Sequence, residues 1–251
     1  MRRLPARPAR PGTILVAAAL CLGAGPSRGD ERADARTVLF GSLDAGRSSF
    51  VAVGAKHAPG GPAADGFVAL GSVGYGLRPE RDYYGDPRAS AGARPPRVLR
   101  HTVLAGALGG WQWLHAWGVV TLFAGPELAF EVLDSAATKR LPAPAPGLRL
   151  HGEVWARPTG ATLLTGTLIA GSARTTIWGR ASWGARVLSF YVGPEAALYA
   201  DRTGYRKWSL GLHATDVAVG RVRLRVSAGW VYEEQVRRPG VYGALAVWTP
   251  L

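Results

Sequence analysis

A hydroxyl, an imidazole and a carboxylate are the ingredients of hydrolytic chemistry, and one region of this chain could supply all three. Ser209, His213 and Thr215 share one face of a segment with strand-like alternation, and Glu195 falls on the segment before it. Such triples arise readily in a chain with many strands, so the arrangement is a weak signal. It defines one alternative function, an enzyme that acts on lipid.

Other catalytic signatures are absent from the sequence. It has no G-x-S-x-G motif, no phosphate-binding loop and no H-E-x-x-H motif, and its five histidines show no metal-ligand spacing. The single cysteine, Cys21, lies near the N-terminus. We therefore predict a protein that is not an enzyme and has no catalytic residues, no metal and no cofactor.

The first 29 residues are typical of a secretory signal peptide. Their five arginines are accompanied by no acidic residue, and the apolar run at 13–24 is too short to span a bilayer. Small residues follow, so cleavage after Gly29 or after Ala35 fits the pattern. We predict a signal peptide at 1–29, a short segment at 30–37 and one domain at 38–251, which contains no thiol.

Basic residues outnumber acidic residues, 30 to 17, which gives a net charge of +13. Without residues 1–29 the counts become 25 and 17, and the net charge falls to +8. A basic chain can indicate nucleic-acid binding. Here the arginines alternate along strands instead of forming one run, and an exported chain rarely meets nucleic acid. We expect no nucleic-acid partner.

About twelve stretches of the chain alternate apolar residues with polar or small ones, and each ends at Gly, Pro or Asp. We place them at 38–43, 48–57, 66–77, 98–113, 118–133, 147–157, 161–173, 176–184, 187–200, 205–215, 221–233 and 239–248. The longest connections, 78–97 and 134–146, then fall at one end of the strands. Short turns near 114–117, 157–160 and 184–186 fall at the other end.

Each alternating stretch has an apolar face as long as the strand, and two architectures produce that pattern. A soluble sandwich or lipocalin-like barrel turns the face inward, whereas a transmembrane barrel turns it toward lipid. Long strands, aromatic residues near strand ends and connections of alternating length favour the membrane. We predict an all-β protein, an antiparallel outer-membrane β-barrel of about twelve strands, surrounded by outer-membrane lipids. A soluble periplasmic polysaccharide-binding β-protein is the alternative.

The opposite faces of these strands predict a charged lumen. Its expected residues are Glu127, Arg149, His151, Glu153, Trp155, Arg180, Tyr191, Glu195, Lys207, His213, Arg223 and Arg225. Buried charges persist when they are paired, so an ion-pair network that fills the barrel is one interpretation. The other is a polar passage that contacts a glucan, in which Trp155 and Tyr191 would stack on sugar rings.

Two further features concern the barrel wall. The tripeptide Gly-Pro-Glu occurs at 125–127 and again at 193–195. Because proline cannot donate to a sheet ladder, we predict a bulge or bend at each one, with both glutamates facing the lumen. Many bacterial barrels end on an outward-facing aromatic residue, and Trp248 is the candidate for that role.

Three segments of the chain resemble one protein family. They are residues 39–46, the two Gly-Pro-Glu strands and residues 198–211. In these segments the chain resembles the BcsS family, which are cellulose-biosynthesis accessory proteins of alphaproteobacteria. The resemblance extends from about Val38 to the C-terminus. The resemblance implies an exported protein that acts with the cellulose synthase machinery, and it brings no catalytic residues. It leaves open whether such a protein conducts the glucan, anchors the machinery or organises secretion.

Overall fold

The computed structural model describes residues 35–81, 97–135, 139–235 and 237–251. These residues lie in β-strands and in the connections between them. No helix in this part of the chain is long and apolar enough to cross a membrane. The predicted signal peptide and most of the segment at 30–37 lie outside the described residues, so both stay predictions.

Thirteen strands are present in the described chain. They are β1 (Thr37–Ala45), β2 (Ser49–His57), β3 (Gly66–Arg81), β4 (Arg97–His115), β5 (Gly118–Ser135), β6 (Lys139–Arg140), β7 (Ala145–Ala156), β8 (Thr162–Gly171), β9 (Thr176–Val187), β10 (Phe190–Ala200), β11 (Arg206–Val219), β12 (Val222–Glu233) and β13 (Arg238–Pro250). All except the two-residue β6 pair antiparallel in chain order, and β1 pairs with β13. The twelve strands therefore close into a barrel that has no free edge.

The apolar face of each strand points outward and the polar face points into the lumen. In β12, Trp230 is 67% exposed whereas Arg225, on the opposite face, is 7% exposed. In β11, Leu210 and Leu212 are exposed and His213 is buried. The predicted outer-membrane barrel of about twelve strands is confirmed. A soluble β-protein would bury the face that this barrel presents to its surroundings.

Exposed aromatic residues form two belts around the barrel. One belt lies near the end at which β1 begins and β13 ends, and it contains Phe67, Trp111, Trp113 and Trp183. The second belt lies nearer the other end and contains Tyr75, Phe130, Trp208, Trp230 and Tyr232. The longest connections lie at this second end, which we call the outer end and assign to the cell exterior, because such barrels carry long loops there. The opposite end is called the inner end.

Several strands are longer than the sequence analysis predicted. β3 runs four residues past its predicted end. The alternation continues there, since Arg78 and Glu80 face the lumen and Pro79 between them faces outward. β4 begins at Arg97 and pairs with this extension. The turn placed near 184–186 lies at 188–189 instead, since β9 continues to Val187.

Of the bulge or bend predicted at each Gly-Pro, the bulge is wrong. The pairing register between β4 and β5 is the same on both sides of Pro126, and that between β9 and β10 is the same on both sides of Pro194. The register shift recorded in the described strands lies in β11, between Thr215 and Val217, where Asp216 has a positive φ of 69°. No residue is therefore inserted at either Gly-Pro site, and a bend there stays a prediction.

The close approach of neighbouring strands explains why a glycine precedes each of these prolines. A Cβ on Gly193 would overlap the carbonyl oxygen of Trp183 in β9, and one on Gly125 would overlap the carbonyl oxygen of Ala107 in β4. In both cases this oxygen belongs to the residue opposite the proline, which has no N–H to donate. Each glycine thus makes room for a carbonyl to which the proline cannot donate a hydrogen bond.

Candidate functional site in the barrel lumen

The outer end of the lumen is crossed by a closed ring of six alternating charges, here called the outer ring. Its members are Arg78, Glu80, Arg100, Glu131, Arg174 and Asp201. Successive charged atoms lie between 2.5 and 3.6 Å apart, and no side chain is more than 12% exposed. Three guanidinium groups face three carboxylates, so the ring is electrically balanced.

The outer ring joins opposite walls of the barrel. Its members on β3, β4 and β5 meet Arg174, from the turn at 172–175, and Asp201, from the loop at 201–205. The guanidinium of Arg78 lies 4.1 Å from the ring centroid of Tyr205, and the backbone N–H of Thr203 donates to Asp201. The ring therefore spans the mouth and ties the outer connections to the strands.

Asp201 stays ionised because its partners outweigh its burial. Burial by itself raises the pKa of this carboxyl, whereas the Arg78 guanidinium and the hydrogen bonds from Thr203 lower it. The net result is a pKa below the ordinary value of 3.8. The charge on which this part of the ring depends is therefore present at neutral pH.

A second network surrounds Glu195 at mid-depth. One oxygen of Glu195 accepts hydrogen bonds from Arg225 and Ser227, and the other accepts one from Tyr242, 3.3 Å away. Arg180 Nε lies 3.8 Å from the same carboxylate. Nearby, Lys207 Nζ donates to Asp44 over 2.7 Å. We expect these contacts to hold six strands together, β1 and β9–β13, since each bond joins a different part of the wall.

The first Gly-Pro-Glu sequence supplies the matching carboxylate on the other side of the lumen. Glu127 accepts a hydrogen bond from Arg149 Nε at 2.9 Å and another from the backbone N–H of Ala173 at 3.0 Å. Arg149 also reaches the hydroxyl of Ser72, 3.4 Å away. Both repeated glutamates thus face the lumen, as predicted, and both are held by an arginine.

The lipid-hydrolase constellation is not assembled. His213 Nδ1 lies 2.7 Å from the hydroxyl of Thr215, and its Nε2 lies 3.1 Å from the carbonyl oxygen of Trp183. Ser209 sits four residues away along the same strand, about 13 Å at a strand's rise per residue. Glu195 is committed to its own network. Instead, His213 reaches across Gly193 to satisfy the carbonyl opposite Pro194.

One side of the inner half of the lumen is filled by a cluster of apolar side chains. This apolar cluster consists of Phe40, Ala58, Val68, Leu70, Leu108 and Phe123. Beside it, Lys56 Nζ lies 3.2 Å from Glu153 and 5.3 Å from the ring centroid of Phe123, and His151 Nε2 lies 3.1 Å from Glu153. Apolar side chains and these three polar groups therefore pack together on this side of the inner half.

Aromatic residues line the innermost part of the lumen. Trp155 and Trp248 meet edge to face, with ring centroids 5.7 Å apart. Trp248 therefore points inward, and the expectation that it serves as an outward terminal aromatic is wrong. Arg157 lies 6.0 Å from the ring centroid of Tyr191, and Arg223 Nη1 lies 3.4 Å from Asp216.

All twelve predicted lumen residues lie on inward faces, but they contribute only part of the filling. Seven of them are buried: Glu127, Arg149, His151, Tyr191, Glu195, His213 and Arg225. Other lumen partners were not predicted. Asp44, Lys56 and Tyr242 lie at alternating strand positions that could have revealed them, whereas Arg174 and Asp201 lie in turns, where alternation gives no signal. The predicted glucan contacts stay predictions.

A closed antiparallel barrel with an apolar outer face, two aromatic belts and a charged interior defines an outer-membrane β-barrel protein. Within that class, a family model for the cellulose biosynthesis protein BcsS matches residues 38–251. The chain belongs to this family. No individual protein of curated function matches the chain in sequence.

Among solved structures, the chain is similar to barrels of other functions. The translocator domain of autotransporter NalP from Neisseria meningitidis is 15% identical with a TM-score of 0.43, covering 86% of this chain and 87% of that one. The beta domain of the Bordetella autotransporter BrkA is 13% identical, with a TM-score of 0.44 and coverages of 86% and 98%. An anion-selective porin from Comamonas acidovorans is 11% identical, with a TM-score of 0.32 and coverages of 86% and 99%.

Proposed function

We propose that this barrel is a non-catalytic accessory of cellulose synthesis and export that organises the process at the outer membrane and does not itself carry the glucan. Family membership over residues 38–251 supports the link to cellulose. The observation that carries the non-conducting role is the outer ring, whose six charged side chains cross the mouth of the lumen.

A glucan chain would have to displace several buried ion pairs to pass. Opening the outer ring removes charges from partners inside a poorly hydrated space, which costs about 3–5 kcal/mol for each buried pair that is broken. Cellulose is neutral and offers hydroxyl groups in place of the lost charges. A charged, balanced ring is therefore better suited to sealing and bracing the barrel than to conducting this polymer.

The non-catalytic part of the proposal is supported by how the polar lumen groups are used. His213 and Glu195 have hydrogen-bond partners within the wall, and neither is directed at Ser209. If the barrel were a lipid hydrolase, His213→Ala would abolish activity while the barrel still assembled. We expect this variant to leave the lipid composition of the outer membrane unchanged.

The cellulose role is tested in a clean deletion strain. Cellulase-released glucose outside the cells is compared with the parent and with a complemented strain. We expect a loss that the gene restores, and glucan trapped inside the cells would indicate that export is the affected step. Unchanged cellulose, with the synthase shown to be active, would overturn the cellulose role.

The non-conducting role is tested separately. The deletion strain is complemented with a double variant, Glu195→Gln with Arg225→Leu, which removes one acidic and one basic charge together and leaves Arg180 near Asp44, 3.7 Å away. We expect parental cellulose levels, and the purified wild-type protein should show no steady conductance in a planar lipid bilayer. A steady open conductance would contradict the sealed lumen while leaving the cellulose role intact.

A further inference from the structure

A groove of about 630 Å³ runs along the lipid-facing surface of β9–β12. Its small side chains lie on β9 and β10, at Gly179, Ala181 and Ala196. The adjacent strands β11 and β12 present large apolar side chains, with Leu210 paired to Trp230 across the strands and both exposed. The volume is within the range of small-molecule sites. The wall is thus indented in the zone that acyl chains occupy.

The pairing register shows why the indentation forms. In one row across the wall, Ala181 pairs with Ala196 and Ala196 pairs with Leu210. In the next row toward the outer end, Gly179 pairs with Leu198, which pairs with Trp208. Small residues therefore sit side by side on two strands, next to the tryptophans of the outer aromatic belt.

Exposed arginines lie at the outer end of the strands that line this groove, in or beside the connections between them. Arg206 is 60% exposed and occupies the outward position two residues before Trp208 on β11. Arg202 and Arg237, in the neighbouring connections, are also exposed. One carboxylate accompanies them, that of Glu234, 3.7 Å from Arg206 Nη1. Three cations against one anion leave the rim of the groove positive.

We propose that this surface is a binding site for an anionic lipid of the outer leaflet, with one acyl chain in the groove and its phosphate against Arg202, Arg206 and Arg237. The apolar groove and the cationic rim meet at Tyr232, which borders both the groove and the polar surface formed by the outer connections. Guanidinium groups bind phosphate through charge-assisted hydrogen bonds, and aromatic residues favour the membrane interface. The site recognises both ends of one amphiphile.

A second copy of the chain is the competing occupant. A symmetric contact between two barrels through this surface would bring the two sets of arginines together at the outer end, where like charges repel. A lipid phosphate carries the opposite charge to the arginines, so lipid binding does not incur this repulsion. Charge therefore favours lipid over self-association.

The test uses the full-length mature barrel, purified in mild detergent. It is titrated with lipid A, and binding is measured by native mass spectrometry. Phosphatidylcholine, which has no net charge, is the comparison lipid. We compare Gly179→Leu, which fills the groove, with Gly71→Leu, an outward glycine on β3 whose Cβ meets open space. We likewise compare a triple Arg202→Ala, Arg206→Ala and Arg237→Ala variant with Lys139→Ala, an exposed cation elsewhere at the outer end.

We expect one lipid A molecule to survive gentle activation on the wild-type protein. The groove-filling and triple-arginine variants should each weaken its binding by about tenfold or more, equivalent to about 1.4 kcal/mol, whereas both controls bind like wild type. Equal binding by all variants would reduce the lipid to a non-specific annulus and overturn the site. A species with the mass of two chains that Gly179→Leu abolishes would assign the groove to self-association and also overturn it.

Discussion

The outer mouth of the lumen and one side of its inner half are filled by opposite chemistry. At the outer end, six charges form a balanced ring across the mouth. In the inner half, six apolar residues form a cluster around Phe123, which is completely buried. The two halves also differ in origin, because the ring depends on a turn and a loop, whereas the apolar cluster comes mainly from β1, β3, β4 and β5.

This difference indicates which half is adjustable. Hydrophobic packing does not depend on protonation or on charge screening, whereas an ion-pair ring depends on protonation and on screening at its margins. We therefore expect the outer ring to be more sensitive than the apolar cluster to the pH and salt concentration of the medium. Substitutions in each half should consequently differ both in size and in how conditions change them.

The largest effect is expected for Arg78→Ala in the outer ring. It leaves the carboxylates of Glu80 and Asp201 buried without one of their partners, which we expect to cost about 3–5 kcal/mol of unfolding free energy. The measurement is urea unfolding in detergent, followed by tryptophan fluorescence. Arg157→Ala, which loses a half-exposed pair with Asp216, is the control and should cost about 1 kcal/mol or less. Equal losses in the two variants would show that the ring is not a specially coupled unit.

Phe123→Ala tests the inner half and should have the next largest effect. Removing a fully buried aromatic ring from the apolar cluster is expected to cost about 3–4 kcal/mol. Phe67→Ala is the control, because Phe67 faces outward and is 54% exposed. The loss in Phe123→Ala should be the same at low and high salt, unlike that of Arg78→Ala. A salt-dependent loss here would remove the contrast between the halves.

The same contrast explains how much the sequence could predict. Alternation located the strands and the inward charges on them, such as Arg149, Glu195 and Arg225, because period-two patterning assigns faces directly. It did not reveal inward apolar residues such as Val68, since a strand that is apolar on both faces has no pattern to read. It also could not place Asp201, because residues in loops join the lumen only through three-dimensional contacts.

Gly193→Ala probes the wall between the halves. The added methyl group would overlap the carbonyl oxygen of Trp183, so β9 and β10 must separate, and the reach of His213 to that oxygen is disturbed. We expect a loss of about 2–3 kcal/mol, measured by the same unfolding experiment. Gly71→Ala is the matched control, because its Cβ meets open space and the change should be neutral or slightly stabilising. Equal stability of the two variants would contradict the close approach seen here.

The smallest effect concerns the pH dependence of the outer ring. Because the pKa of Asp201 lies below its ordinary value of 3.8, its charge contributes stability that is fully present above that value and is lost as the pH falls through the folded-state pKa. Asp201→Asn should therefore be less stable than wild type by about 1 kcal/mol at pH 7, since Arg78 and Arg174 each keep another carboxylate. The difference between the two proteins should shrink at pH values below 3.8. Phe123→Leu is the control in the inner half, and its deficit should be constant over the same range. A difference between wild type and Asp201→Asn that persists unchanged in acid would mean that the hydrogen-bond geometry at Asp201, and not its charge, stabilises the ring.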